Sequence, residues 1–383
     1  MVKGSESVMQ KTVVLHIGTP KTGTSSIQRC LEQAQVGGNL GPVCYPLWKG
    51  DRNQQRLAMI YPPGALWATW VRQVFPARPR EFRRIGEQYR QFIFKELRSA
   101  NSAVISAEAL SSLSPDSVGQ LRDALRHGGY REFHIVLYVR DPADYFLSQT
   151  QQDLKGHPVP PFVEDPASFR YDFLRAAETW EHLFPGKLII RRFPNGPNHD
   201  VVEDFAGVLK DCLGVTLPRL PVRMNTSISA EAMQILQDYR ENFWPDAGGL
   251  ITPDAARLAE FLRKSAKDIP QTKPVLKKEV AEQVRANHKA DAELLYSRYG
   301  VDLGLQDCGP KAVPVVRRSY RVNDIVESVD PSIVCQLLLR LARAELGRPR
   351  GRPLRIAAQV YQSIPLTLRP APLDNWLRAR FPR

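Results

Sequence analysis

The sequence predicts an α/β fold of three layers, with a central parallel sheet, helices on both of its faces and additional C-terminal helices. Two observations lead there. Short apolar runs rich in β-branched residues alternate with longer helical patterns, which is how βαβ units with parallel strands are written. The first of these runs ends in Gly18-Thr-Pro-Lys-Thr-Gly23, a loop of P-loop-like spacing that passes directly into a helix start.

The strands are expected at Thr12 to Ile17, Ala103 to Ser106, His134 to Val139 and Lys187 to Arg191, each short and continuous enough to be buried on both faces. Between them the 3.6-residue period places helices over Ser25 to Gln35, Pro79 to Arg98, Pro115 to Arg126, Ala143 to Leu154 and Phe169 to Leu183. Beyond Gly214 the pattern turns helical throughout: Ser229 to Asn242, Pro253 to Lys264, and Lys277 to Tyr299 with Gly300 as its C-cap. The organisation that follows is a flexible N-terminus over 1–11, one catalytic domain over 12–308 and a basic C-terminal extension over 309–383. Within the domain, 36–79 is an irregular insert rich in Gly and Pro, carrying Trp48, Trp67 and Trp70, that could cover a pocket or add satellite core.

Composition narrows the class. Five scattered cysteines, without paired spacing or histidine partners, argue against a disulfide framework and against a zinc site. The same cysteine usage suits a reducing, cytoplasmic compartment, and no apolar run approaches the roughly twenty residues of a membrane span, so a chain at most peripheral to a membrane is expected. The formal net charge of +13 calls for a polyanionic ligand or surface without choosing among them. Ten arginines from Arg340 onward face only Glu345 and Asp374. That stretch reads as a solvated tail or as an arm that could touch an anionic membrane.

The Gly18 to Ser26 segment has the design of an anion cradle. A loop between a buried strand and a helix N-terminus offers unpaired N-H groups and the positive end of the helix dipole. In a nucleotide triphosphatase a Lys-Ser/Thr pair would follow the second glycine, but Thr24-Ser25 stands there and the lysine is inside the loop as Lys21. Its ammonium would reach a different part of the guest. The second motif follows the strand ending at Val139: Arg140 closes it, Asp141-Pro142 starts a helix, and Ser148 comes eight residues after the arginine. Arginine brings a planar fork suited to a phosphate dianion, and serine a hydroxyl donor.

Together these two motifs resemble the sulfotransferases that use 3′-phosphoadenosine 5′-phosphosulfate (PAPS), whose fold is shared in type with the nucleotide kinases. Lys21, Thr22, Gly23, Thr24, Ser25 and Ser26 match that family's 5′-phosphosulfate loop, and Arg140 with Ser148 matches its grip on the 3′-phosphate. Less specifically, Leu188 to Phe193, Asp204-Phe205, Leu213-Gly214, Asn225 to Ser229 and Tyr299-Gly300 are similar to bacterial members, which extends the likeness over about 12–303. The Arg-Lys-Gly and Gly-Asp-Trp segment of the cytosolic small-molecule enzymes is absent. This leaves the adenine-side loop unassigned, with Arg191, Arg192, Arg317 and Arg318 as loose candidates. The resemblance implies PAPS as donor, adenosine 3′,5′-bisphosphate (PAP) as product, no metal, and a hydroxyl acceptor such as a glycan or glycolipid; nucleic acid is not an expected partner.

Sulfuryl transfer, like phosphoryl transfer, depends on positioning and on stabilising charge at the leaving group, the role expected of Lys21 and the loop hydroxyls. An acceptor hydroxyl also needs a base. Glu108 is the first candidate because it follows the strand Ala103 to Ser106 and so lies at a carboxyl end beside the cradle; capping of the next helix or pairing with a basic neighbour is the competing reading. His16, inside the first strand, is the second, and His157 in the Gly156-His157-Pro158 turn the third. The rival functions are a P-loop kinase or triphosphatase, and a non-catalytic polyanion binder acting through the basic C-terminal arm.

Overall fold

The computed structural model describes residues 10–61, 79–155, 163–194, 200–218, 227–243, 253–305 and 320–346. Its contacts divide the chain into two units. The first takes Met1–Asp141, Tyr171–Met224 and Lys289–Gln306; the second takes Pro142–Arg170, Asn225–His288 and Asp307–Arg383.

The first unit is built on five parallel strands: β1 (Lys11–His16), β2 (Val43–Cys44), β3 (Ser102–Ser106), β4 (Tyr130–Val139) and β5 (Leu188–Arg192), in the order β2-β3-β1-β4-β5. The fold is α/β and P-loop-like. β1 pairs with β3 from Thr12↔Ser102 to His16↔Ser106 and with β4 from Lys11↔Tyr130 to His16↔Val136, so the loop after β1 emerges from the middle of the sheet. The crossover from β3 to β4 passes over β1, and such a point is where open α/β sheets take their ligands.

Alternation along the strands supplies both layers. Val14, Val104, Val136 and Tyr138 face one core with Ile27, Cys30 and Leu31 of α1 (Thr24–Val36) and Val202, Phe205 and Leu209 of a helix over Val201–Leu213. The intervening Val13, Leu15, Ala103, Ile105, Ile135 and Leu137 are fully buried toward the opposite face, each of the larger side chains contributing about 1.5–3 kcal/mol. That face is covered by helices over Pro115–His127 and Phe173–Leu183, whose Trp180 Nε1 donates to Leu110 O at 3.2 Å.

Numbered in chain order, the helices after α1 are α2 (Leu57–Ile60), α3 (Pro79–Ser99), α4 (Pro115–His127), α5 (Pro142–Leu154), α6 (Phe173–Leu183) and α7 (Val201–Leu213). They are followed by α8 (Ala230–Phe243), α9 (Pro253–Ser265), α10 (Lys278–Asn287), α11 (Lys289–Tyr299), α12 (Val322–Ile325) and α13 (Pro331–Leu346). Local chemistry fixes their ends. Ser114 Oγ accepts from Ser117 N at 3.2 Å ahead of Pro115, and Asp200 accepts from Val202 N at 2.8 Å.

Several expectations need correction. β2 is a two-residue strand inside the segment read as irregular, and α2 follows it. The expected helix from Lys277 to Tyr299 breaks at His288, where the ring Nδ1 reaches back to Val284 O at 2.7 Å; the chain leaves the second unit at the same residue. Residues 320–346, within the stretch read as a C-terminal extension, carry α12 and α13, and Arg340 is ion-paired with Asp268. Trp67, Trp70, His157, Arg317, Arg318 and the basic stretch after 346 lie outside the described residues.

The second unit is helical around α8, which is buried over nearly its whole circumference from Ala230 to Arg240. Its polar residues are tied to their surroundings. Glu231 accepts from Thr272 N at 3.1 Å and Asp330 N at 3.2 Å, and Gln237 donates to Tyr320 O at 3.2 Å while accepting from Val322 N at 2.7 Å. Among the described residues of both units no helix is long and apolar enough to cross a membrane.

Candidate functional site

The loop leaving β1 is held by the neighbouring strand. Tyr138 N donates to Gly18 O at 3.1 Å, and both Thr19 N and Thr19 Oγ1 donate to Tyr138 O, at 3.3 and 3.0 Å. With its own proton engaged, the Thr19 hydroxyl accepts from the buried Tyr171 hydroxyl, which in turn receives the backbone N-H of Arg140. Thr22 Oγ1 donates to Thr19 O at 2.6 Å and closes the turn from inside.

Two glycines are required by geometry. Gly18 has φ +81°, and a Cβ on it would lie 3.0 Å from Glu108 Cα; Gly23 has φ +76°, and a Cβ would lie 2.6 Å from Val201 Cγ1. Lys21 also adopts the left-handed region, φ 63°, which costs a lysine about 1–2 kcal/mol. That conformation offers the Lys21 carbonyl to Arg140 Nη1 at 3.2 Å, and the guanidinium lies over Phe193, 5.2 Å from the ring centre. Lys21 and Arg140, from loops on adjacent strands, are thus fastened together.

Gly23 is the N-cap of α1 and brings no side chain to cap it. Among the described residues the N-H groups of Gly23, Thr24 and Ser25 form no hydrogen bond, and the buried Thr24 Oγ1 has no partner either. Ser25 and Ser26 are partly exposed in the first turn. Uncapped donors at the positive end of a helix are an anion-binding arrangement.

Glu108 opens a 3-10 turn, Glu108–Ser112, positioned by Ala107 N donating to His16 O at 3.0 Å beyond the last β1–β3 pair. Burial pushes its carboxyl above the usual carboxylate range, against the nearby Lys21 ammonium, which pulls it down. The Thr24 hydroxyl beside it acts in the same direction as the lysine, without forming a hydrogen bond of ordinary length and angle.

The first unit therefore brings together Lys21, Thr22, Gly23, Thr24, Ser25, Ser26, Glu108 and Arg140 at the carboxyl ends of β1, β3 and β4. It does not bring His16 with them. His16 is fully buried between Tyr138 and Phe205, with Nδ1 2.8 Å from Ser106 Oγ, and burial lowers its pKa to about 3. The second candidate base is a neutral core histidine. Ser148, partly exposed two turns into α5, belongs to the second unit. The two loose arginine candidates within the described residues have structural partners: Arg191 pairs with Asp204, which also accepts from Tyr138 OH at 2.5 Å, and Arg192 Nη1 donates to Asp302 O at 3.1 Å. Tyr171 and Val201 complete the cradle from far along the chain, and no spacing in the sequence signals them.

No family model matches this chain, and no curated protein does. Among solved structures it is similar to a chain from the PezAT chromosomal toxin-antitoxin system of Streptococcus pneumoniae, at 15% identity over 69% of this chain and 90% of that one, with a TM-score of 0.28. At that level the likeness bears on neither fold nor function; the α/β assignment comes from the sheet of the chain itself.

Proposed function

We propose that this chain is a PAPS-dependent sulfotransferase acting on a hydroxyl of a carbohydrate, glycolipid or similar acceptor. The observation that carries the reading is the Arg140 to Lys21 carbonyl hydrogen bond, 3.2 Å, which fastens an arginine fork to a lysine-bearing loop of open donors. A ligand with two separate anionic ends suits such a pair better than a single triphosphate chain does. The orphaned Thr24 Oγ1 and the free N-H groups of Gly23 and Thr24 fit an anionic ester group on this reading. PAPS would supply the sulfuryl group and a bisphosphate leaving group.

The chain's own residues then divide the work. Lys21 and the first-turn donors of α1 neutralise charge on the leaving phosphate, Arg140 holds the other anionic end, and Glu108 removes the proton from the acceptor hydroxyl. A carboxyl raised by burial is a better match to that proton than an ordinary one.

Calorimetric titration with PAP and with ATP-Mg tests the reading. PAP is expected to bind more tightly than ATP-Mg, and Arg140→Ala to weaken PAP by about 2–4 kcal/mol, as for a charge-assisted partner removed. Preference for ATP-Mg, or indifference to Arg140→Ala, would sink it. Glu108→Gln should leave PAP affinity intact and lower turnover by about 10²–10⁴-fold, the contribution of a positioned base. In the wild type the acid limb of the rate profile should then lie above the ordinary carboxylate range, because the base works only when ionised.

A further inference from the structure

The carboxyl end of β2 carries a cluster of side chains that the cradle does not use. β2 lies beside β3, and parallel neighbours are about 4.8 Å apart, so the segment leaving β2 runs next to the turn that carries Glu108. Gln54 sews the two together: its Nε2 donates to Pro46 O at 2.9 Å and its Oε1 accepts from Ser106 N at 2.7 Å. Two residues beyond Pro46 stands Trp48, as Glu108 stands two beyond Ser106. α2 packs directly on the Glu108–Ser112 turn, with Arg56 as its N-cap residue.

Trp48 opens a tight reversal. Lys49 and Gly50 both have positive φ, 54° and 77°, and Asp51 N donates to Trp48 O at 3.0 Å, the form of a two-residue hairpin turn. A lysine in this conformation is a strained choice where asparagine or glycine would be easy. The strain coincides with placing Lys49 Nζ 4.8 Å from the Trp48 ring centre, and Arg56 lies 4.6 Å from the same ring. Tyr89 meets Trp48 edge-on at 5.5 Å. Its hydroxyl is buried, has no hydrogen-bond partner, and lies in the field of Arg56 and Asp51. Arg56 is ion-paired with Asp51 and Arg52 with Glu32, 3.4 Å, which leaves the cluster with a positive surplus through Lys49.

A partly exposed indole with two cations over its ring, next to a buried hydroxyl without a partner, is an amphipathic patch: apolar surface for the C-H groups of a sugar ring and cations for a substituent on it. We propose that Trp48, Lys49 and Arg56 form the acceptor subsite, and that the acceptor is a saccharide bearing a carboxylate or sulfate on this side. The assignment rests on the reading of the cradle as the donor site, because it takes the β2 side of the sheet edge to be the acceptor side.

The test is calorimetry on the full chain, with and without PAP, using a chondroitin sulfate hexasaccharide and neutral maltohexaose as probes. The acidic probe should bind at least tenfold more tightly than the neutral one. Trp48→Ala should weaken it about tenfold and Lys49→Gly about threefold, with PAP affinity unchanged in both. Equal affinity for the two probes, no binding of either, or acidic binding that survives both substitutions would overturn the subsite. The last of these is what binding through the basic residues after Arg340 would give. If Trp48→Ala fails to fold, Lys49→Gly, which keeps the turn, decides alone. If PAP fails to bind the wild type, the donor reading falls while the probe measurements without PAP still judge the subsite.

Discussion

The first turn of α1 and the first turns of α8 treat polar groups in opposite ways. In α8 the carboxylate of Glu231, fully buried, meets two backbone N-H groups, and Gln237 uses both ends of its amide; Gln234 Oε1 is the exception. In α1 the cap is a glycine, three N-H groups are open, and a threonine hydroxyl is buried without a partner. Buried polar groups that find partners hold a fold together, whereas those left open at a loop cost free energy unless a ligand completes them. On the proposed reading, the first turn of α1 is the end that a ligand completes, whereas the first turns of α8 are completed by the fold itself.

Substitutions can break or sharpen that separation. The largest effect belongs to the satisfied centre: Glu231→Ala leaves two buried N-H groups unpaired and should cost about 3–5 kcal/mol in urea unfolding. A cost below about 1 kcal/mol would mean that the partners are optional and that the contrast is empty.

Next comes His16, buried and structural though adjacent to the cradle. Its folded pKa, about 3, lies below the ordinary 6.5, so its contribution is complete above pH 6.5 and is lost as the pH falls toward 3. Between pH 7 and 5 the wild type should lose about 2 kcal/mol that His16→Gln does not. Parallel pH curves for the two proteins would return His16 to the candidates for the site.

The smallest effect on stability, with a loss of function beside it, is expected at Lys21. Lys21→Gly relieves a left-handed lysine, so stability should stay level or rise by up to about 1 kcal/mol while PAP affinity falls at least about tenfold. Loss of stability together with retained affinity would reverse the assignment of the loop.

Much of this was legible in the sequence because it is local. Runs such as Val13-Val14-Leu15 and Ala103-Val104-Ile105 are β-branched and bounded, and four of the five strands were found from them. β2 has two residues, too few to show a period, and its pairing with β3 exists only through tertiary contact. The helical period runs unbroken through His288, so nothing marks the ring that turns back on Val284. In the site, Lys21, Glu108 and Arg140 could be read because each lies in the segment that directly follows a strand. Tyr171 could not, since its partners Thr19 and Arg140 are 152 and 31 positions away and a lone tyrosine carries no motif.

The hydrogen bonds through Tyr171 also have a direction. Each hydroxyl passes its proton one way, from the Arg140 N-H through Tyr171 and Thr19 to the Tyr138 carbonyl, so neither can turn toward a guest without breaking the series. The loop is therefore ordered before anything arrives in it. A guest would meet a finished mould, and little of its contact free energy would be lost to freezing the backbone around it. Weak contacts of a small anion could then register as tight binding.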